Sequence, residues 1–134
     1  MRRRALAAIS LAAVLAVGFA VTAVGRTAQS SSSVKINMTG APPNFQFTGV
    51  PRQIKAGTVK FTFRNTSTQP SGVQHNFTVV QTFGQAKAFK SASLASGKSQ
   101  TLSVNLKPGT YVAICTIGNG FHAANRMTTA FVVQ

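Results

Sequence analysis

The chain has 134 residues, with 14 Lys and Arg and no Asp or Glu, where ordinary usage would supply on the order of 15 carboxylates. That absence excludes carboxylate acid-base catalysis, and a hydrophobic content of 44% with 10 Phe excludes disorder of the main body. The cations Lys35, Arg52, Lys55, Lys60, Arg64, Lys87, Lys90, Lys98, Lys107 and Arg126 are scattered singly rather than gathered in a patch, so no nucleic-acid partner is expected.

Along the chain, residues 1–25 read as an export signal, with Arg2, Arg3 and Arg4 ahead of an apolar run over residues 5–24. A run of about 20 residues is also long enough to span a bilayer, so a cleaved signal and a membrane tether through residues 5–24 both stay open. In either case the arginines stay on the cytoplasmic side, and the remainder emerges outside the cytoplasm, in a periplasmic or other extracytoplasmic space. Residues 26–33 contain a run of serines without apolar periodicity and read as a flexible linker. The folded unit is expected over residues 34–134, a single domain of roughly 100 residues.

From Val34 onward the periodicity is that of strands. Residues 34–38 alternate apolar and polar, and residues 59–64 place Val59, Phe61 and Phe63 on one face. Residues 74–80 set His75, Phe77 and Val79 together, and residues 99–106 do so for Leu102, Val104 and Leu106. Two further strands are expected over residues 110–115 and 127–133. Gly, Pro, Ser and Asn clusters separate these runs, and no amphipathic helix longer than two turns is visible. Such a pattern implies an all-β fold, an antiparallel sandwich or barrel. Residues 82–98 are the least legible, because Phe83, Phe89 and Leu94 fit either an irregular loop or a short helix.

The single cysteine, Cys115, cannot form an intramolecular disulfide. It ends the 110–115 strand, and His122 and Met127 follow at the spacing C-x6-H-x4-M. The only other histidine, His75, lies on an upstream strand. Each residue alone has an ordinary reading: a small buried hydrophobe, a satisfied core histidine, a solvated loop histidine, a packed methionine. Jointly, a thiolate, two imidazoles and a thioether form a set that suits one copper ion, since soft sulfur favours Cu(I) and imidazole supports Cu(II).

The segment from Leu106 to Cys115, continued by His122 and Met127, resembles the C-terminal metal-binding stretch of cupredoxins such as plastocyanin and azurin. His75-Asn76 resembles their upstream ligand and the Asn that follows it. The resemblance implies a Greek-key sandwich of about eight strands, with copper held near one end by His75, Cys115, His122 and Met127. It further implies that Asn76 and Thr116 tie the two ligand loops together by hydrogen bonds. One departure stands out: six residues, 116–121, separate Cys115 from His122, where the familiar loops have two to four. Gly118 and Gly120 give the backbone freedom to fold the excess outward.

The expected function is electron transfer by a non-enzymatic type 1 copper protein, monomeric, with transient redox donor and acceptor proteins. Phe121, Ala123 and Ala124 beside His122 would form an apolar docking patch, and the scattered cations could steer an acidic partner. Copper storage or delivery, and a metal-free binding or structural sandwich, are the alternatives. The missing carboxylates suggest an acidic medium as a further hypothesis, because salt bridges made by carboxylates fade as pH falls.

Overall fold

The computed structural model describes residues 31–68, 73–83 and 87–134. The expected export signal over residues 1–25 and the first part of the linker lie outside the described residues. Two sheets face each other. The first consists of β2 (Gln46–Thr48), β1 (Ser31–Thr39), β4 (Gly57–Asn65) and β7 (Ser99–Leu106), in that order. The second consists of β3 (Gln53–Ile54), β9 (Thr128–Val133), β8 (Gly109–Ile114), β5 (Thr78–Gln81) and β6 (Ala88–Lys90). This is an all-β sandwich.

Alternation along each strand decides which side chains enter the core. In β1 the side chains of Val34, Ile36 and Met38 point inward, and in β4 those of Val59, Phe61 and Phe63 do so, while Lys35, Asn37, Lys60 and Arg64 stay exposed. Register then aligns the inward sets: Val34 lies beside Phe61, Ile36 beside Phe63, and Val59 beside Val104 of β7. The facing sheet contributes Val79, Tyr111, Ala113, Phe131 and Val133. Phe77 sits between the layers, with its ring 5.3–5.5 Å from those of Phe47, Phe61 and Phe63.

Several details depart from the periodicity. β1 begins at Ser31, ahead of the domain start expected at Val34, because its backbone ladder to β4 continues through Ser31–Thr58 and Ser33–Lys60, where no apolar side chain marks it. β1 and β4 run parallel, as do β3 and β9, so the sheets are mixed rather than purely antiparallel. The strand expected over residues 74–80 is regular only from Thr78. Ahead of it, the Asn76 N–H donates to the Cys115 sulfur and the Phe77 N–H to the Ser91 hydroxyl, and His75 pairs with Leu94 as an isolated bridge. The illegible 82–98 stretch contains β6 and that bridge. Phe83 is largely exposed there, whereas Phe89 and Leu94 pack against the core as half-buried side chains. Among the described residues the sole helix is α1 (Phe121–Ala124), a single turn, and none is long and apolar enough to cross a membrane.

Candidate metal centre

Four residues, one from the bridge ahead of β5 and three from the connection between β8 and β9, lie where β8 leaves the sandwich. His75 sits on the bridge to Leu94 ahead of β5, Cys115 directly follows β8, His122 lies in α1, and Met127 immediately precedes β9. The Nδ1 atoms of His75 and His122 are 3.1 Å apart. Cys115 Sγ is 3.4 Å from Nδ1 of His122 and 4.0 Å from Nδ1 of His75. A point equidistant from these three atoms lies about 2.1 Å from each, within the ~2.0–2.3 Å range of nitrogen and thiolate bonds to a first-row ion. The triangle therefore has the size and chemistry to enclose one metal ion. Met127 joins it through the backbone, donating its N–H to the His122 carbonyl (2.9 Å) and accepting the Cys115 N–H (3.1 Å). His75, Cys115 and Met127 have no exposed surface, and His122 retains 7%.

Burial sets the protonation states. It lowers the His75 imidazole to about 4, helped by the neighbouring His122 and opposed by the Gly40 carbonyl. Burial also lowers His122. The imidazoles are thus neutral, the form that ligates. The Cys115 thiol is pushed up by burial, against which the N–H groups of Asn76 and Ile117 and the charge of Lys90 favour the thiolate. A bound cation would complete that deprotonation.

Asn76 and Thr116 are joined by two hydrogen bonds. The Asn76 amide donates to the Thr116 hydroxyl (2.9 Å), and the Thr116 N–H donates to the Asn76 carbonyl oxygen (2.8 Å). The Asn76 N–H also reaches Cys115 Sγ at 3.4 Å. Asn76 thus ties the upstream strand to the sulfur through its backbone N–H and to the start of the 116–121 loop through its side chain.

That loop accommodates its extra residues by turning out of the sandwich. Gly118, Asn119 and Gly120 are all left-handed (φ 64, 52 and 89°), a conformation that two glycines and an asparagine adopt at least cost. Gly118 and Asn119 are exposed. The chain then closes into α1 through Phe121 N–H to Gly118 O and Ala124 N–H to Gly120 O, which brings His122 back inward. Phe121 is half exposed, Ala124 exposed and Ala123 partly so.

Two further side chains touch the cluster without any mark in the sequence. Phe45, fully buried, stacks on the His122 ring at 4.0 Å between centroids and meets His75 edge-on at 5.5 Å. Ser67 places its hydroxyl 3.0 Å from Nε2 of His75. Neither follows from spacing, because both lie in loops whose position depends on the folded sheets.

A buried His-Cys-His triangle with an adjoining Met, carried by an all-β sandwich, is the arrangement of a type 1 copper site. A family model described as a cupredoxin-like domain matches residues 9–128, and the chain belongs to that family. Among solved structures it is similar to auracyanin B, with a TM-score of 0.55 and 21% identity over 80% of this chain and 91% of that one. Rusticyanin from Thiobacillus ferrooxidans gives 0.52 and 18% over 76% of this chain and 77% of that one. A multi-copper oxidase from Pediococcus acidilactici gives 0.52 and 13%, over 76% of this chain but only 26% of the oxidase. At these identities the likeness concerns the fold. No curated protein matches the chain at a significant level.

Proposed function

We propose that this chain is an exported, single-domain type 1 copper protein that carries single electrons between redox partners, with His75, Cys115, His122 and Met127 as the ligands of one ion. The observation that carries this reading is the closed triangle of two Nδ1 atoms and one Sγ, buried and contributed by separate segments. Copper, when bound, supplies a one-electron Cu(II)/Cu(I) couple. The protein holds the donors in one arrangement whatever the charge at their centre. The Asn76–Thr116 cross-link and the ladder bonds of β8 to β5 and β9 resist displacement of the ligand loops, and Phe45 with the surrounding core keeps water from the imidazoles. Resistance to movement is what rapid transfer of an electron requires.

His122 is the donor nearest solvent, and exposed Phe121 and Ala124, with Ala123 beside them, give a partner an apolar surface over it. Lys and Arg without any acidic counterpart favour encounter with an acidic redox protein at low salt. The arginine-led apolar run of residues 1–25 supports export, with tethering through residues 5–24 if the run stays uncut. With one Cys and two His in the whole chain, no residues remain for a second copper centre, which supports a carrier that is not an enzyme. Burial of all four donors speaks against storage or delivery, which needs ligands that exchange readily.

Titration of reduced protein with Cu(II) tests the metal centre. An intense visible band saturating at one ion per chain is expected, and Cys115→Ala should abolish it. A colourless protein that takes up no stoichiometric Cu(II) would overturn the reading. Stopped-flow mixing of the loaded protein with a redox protein then separates an electron carrier from a copper-delivery protein.

A further inference from the structure

Ser67 lies in the segment after β4, almost fully buried, and none of its bonds serves a strand ladder. Its Oγ is 3.0 Å from Nε2 of His75 and 3.3 Å from the Gly40 carbonyl oxygen. A carbonyl can only accept and a hydroxyl has a single proton to give. If that proton goes to Gly40, the serine oxygen faces His75 as an acceptor, and Nε2 must then carry the ring proton. A neutral imidazole has one N–H, so Nδ1 is left with a free lone pair. Nδ1 is the ring atom that points at Cys115 and His122.

Ser67 is itself held from behind. Its N–H donates to Oδ1 of Asn65 at 3.0 Å, and the Ser96 hydroxyl donates to its carbonyl. Asn65, with no exposed surface, sends its amide hydrogens to the carbonyls of Val73 (2.7 Å) and Leu94 (2.8 Å). Leu94 in turn exchanges both backbone hydrogen bonds with His75. A closed circuit therefore runs from the end of β4 through Asn65 to the backbone of His75 by way of Leu94, and to its ring by way of Ser67. In a buried network each satisfied member fixes its neighbours.

We propose that Ser67 is a positioning residue for His75: it holds the ring as the Nε2–H tautomer, so that Nδ1 alone is presented to the metal, with Asn65 holding Ser67 in place. This rests on the copper-site reading only in what Nδ1 is presented to; the tautomer is a property of the metal-free protein. Partners that orient the far nitrogen of a ligating histidine are commonly worth 10–100-fold in metal affinity.

The test begins with the metal-free protein labelled with 15N. Long-range proton-nitrogen spectra should show His75 with a protonated Nε2 and an unprotonated Nδ1. Ser67→Ala should mix the two tautomers and weaken Cu(II) binding by roughly 10–100-fold, with a shifted or broadened visible band. Ser67→Thr, which keeps the hydroxyl, should restore both the tautomer and the band. The proposal is overturned if the wild-type ring carries its proton on Nδ1, or if Ser67→Ala leaves tautomer and affinity unchanged. Should Ser67→Ala fail to fold, the wild-type spectrum and the Ser67→Thr titration still decide. A wild-type protein with the Nε2–H tautomer that binds no Cu(II) would overturn the metal-centre reading and not the role of Ser67 in orienting the ring.

Discussion

Replacing Asn76 by Ala leaves the Thr116 N–H without its acceptor and the Thr116 hydroxyl without its donor. An orphaned buried donor costs about 1–3 kcal/mol, and Thr116 is part-buried, so Asn76→Ala should lower the unfolding free energy of the metal-free protein by about 1 kcal/mol, the low end of that range, in urea titrations. Asn76→Asp keeps the acceptor for Thr116 and should lose less than the alanine variant if the N–H bond dominates. At the same scale, His75 has a folded-state pKa of about 4 against an ordinary 6.5. A depressed pKa contributes stability that is fully present above 6.5 and is lost as the pH falls through about 4. His122 shifts in the same direction. Urea midpoints of metal-free protein should therefore decline across that window, and His75→Gln should flatten the decline. A slope unchanged by the substitution would place the titrating group elsewhere.

At the scale of elements, the 116–121 loop depends on backbone chirality at three consecutive left-handed residues, Gly118, Asn119 and Gly120. Gly120 holds φ 89° with open space where a Cβ would go, whereas a Cβ at Gly118 would come within 3.2 Å of the Phe121 Cβ. Gly120→Ala should thus cost only the left-handed penalty, roughly 1–2 kcal/mol, and Gly118→Ala more. Denaturation of the two variants in parallel checks the order, and equal losses would mean that crowding against Phe121 is relieved freely. The alternating strands β1, β4 and β7 were legible because each turns at least three apolar positions to one face, all buried in β1 and β4, while in β7 Val104 and Leu106 are buried and Leu102 half-buried. β2, β3 and β6 were not, since two or three residues complete no more than one period of alternation. Parallel pairing was equally hidden: alternation tells which side a residue faces and nothing of the direction of its neighbour.

For the whole molecule, stability rests on the interlayer core, where the Phe77 ring meets those of Phe47, Phe61 and Phe63. Phe77→Ala should remove about 3–5 kcal/mol, the largest loss expected of any single substitution discussed, measured by the shift in urea midpoint. The chain also lacks any Asp or Glu side chain, so below the histidine window no side-chain carboxylate remains to protonate. Unfolding free energy should then level off between about pH 4 and pH 3, the reverse of the progressive acid loss seen where paired carboxylates are protonated. A continued steep fall there would argue that chain-wide repulsion among the cations, rather than individual titrations, governs behaviour in acid.

Residue types and their order along the chain were enough to establish the all-β class, because alternation is a local property, and to single out His75, Cys115 and His122, because the chain holds one Cys and two His, with Met127 following them in the C-x6-H-x4-M spacing. Folding alone decided that the three nitrogen and sulfur donors approach to 3.1–4.0 Å, that Phe45 stacks on His122, and that Ser67 meets the far side of His75. Those contacts join positions from 7 to 77 residues apart that lie on different segments, and their distances are set by how two sheets and their loops pack, which no spacing along a single strand encodes.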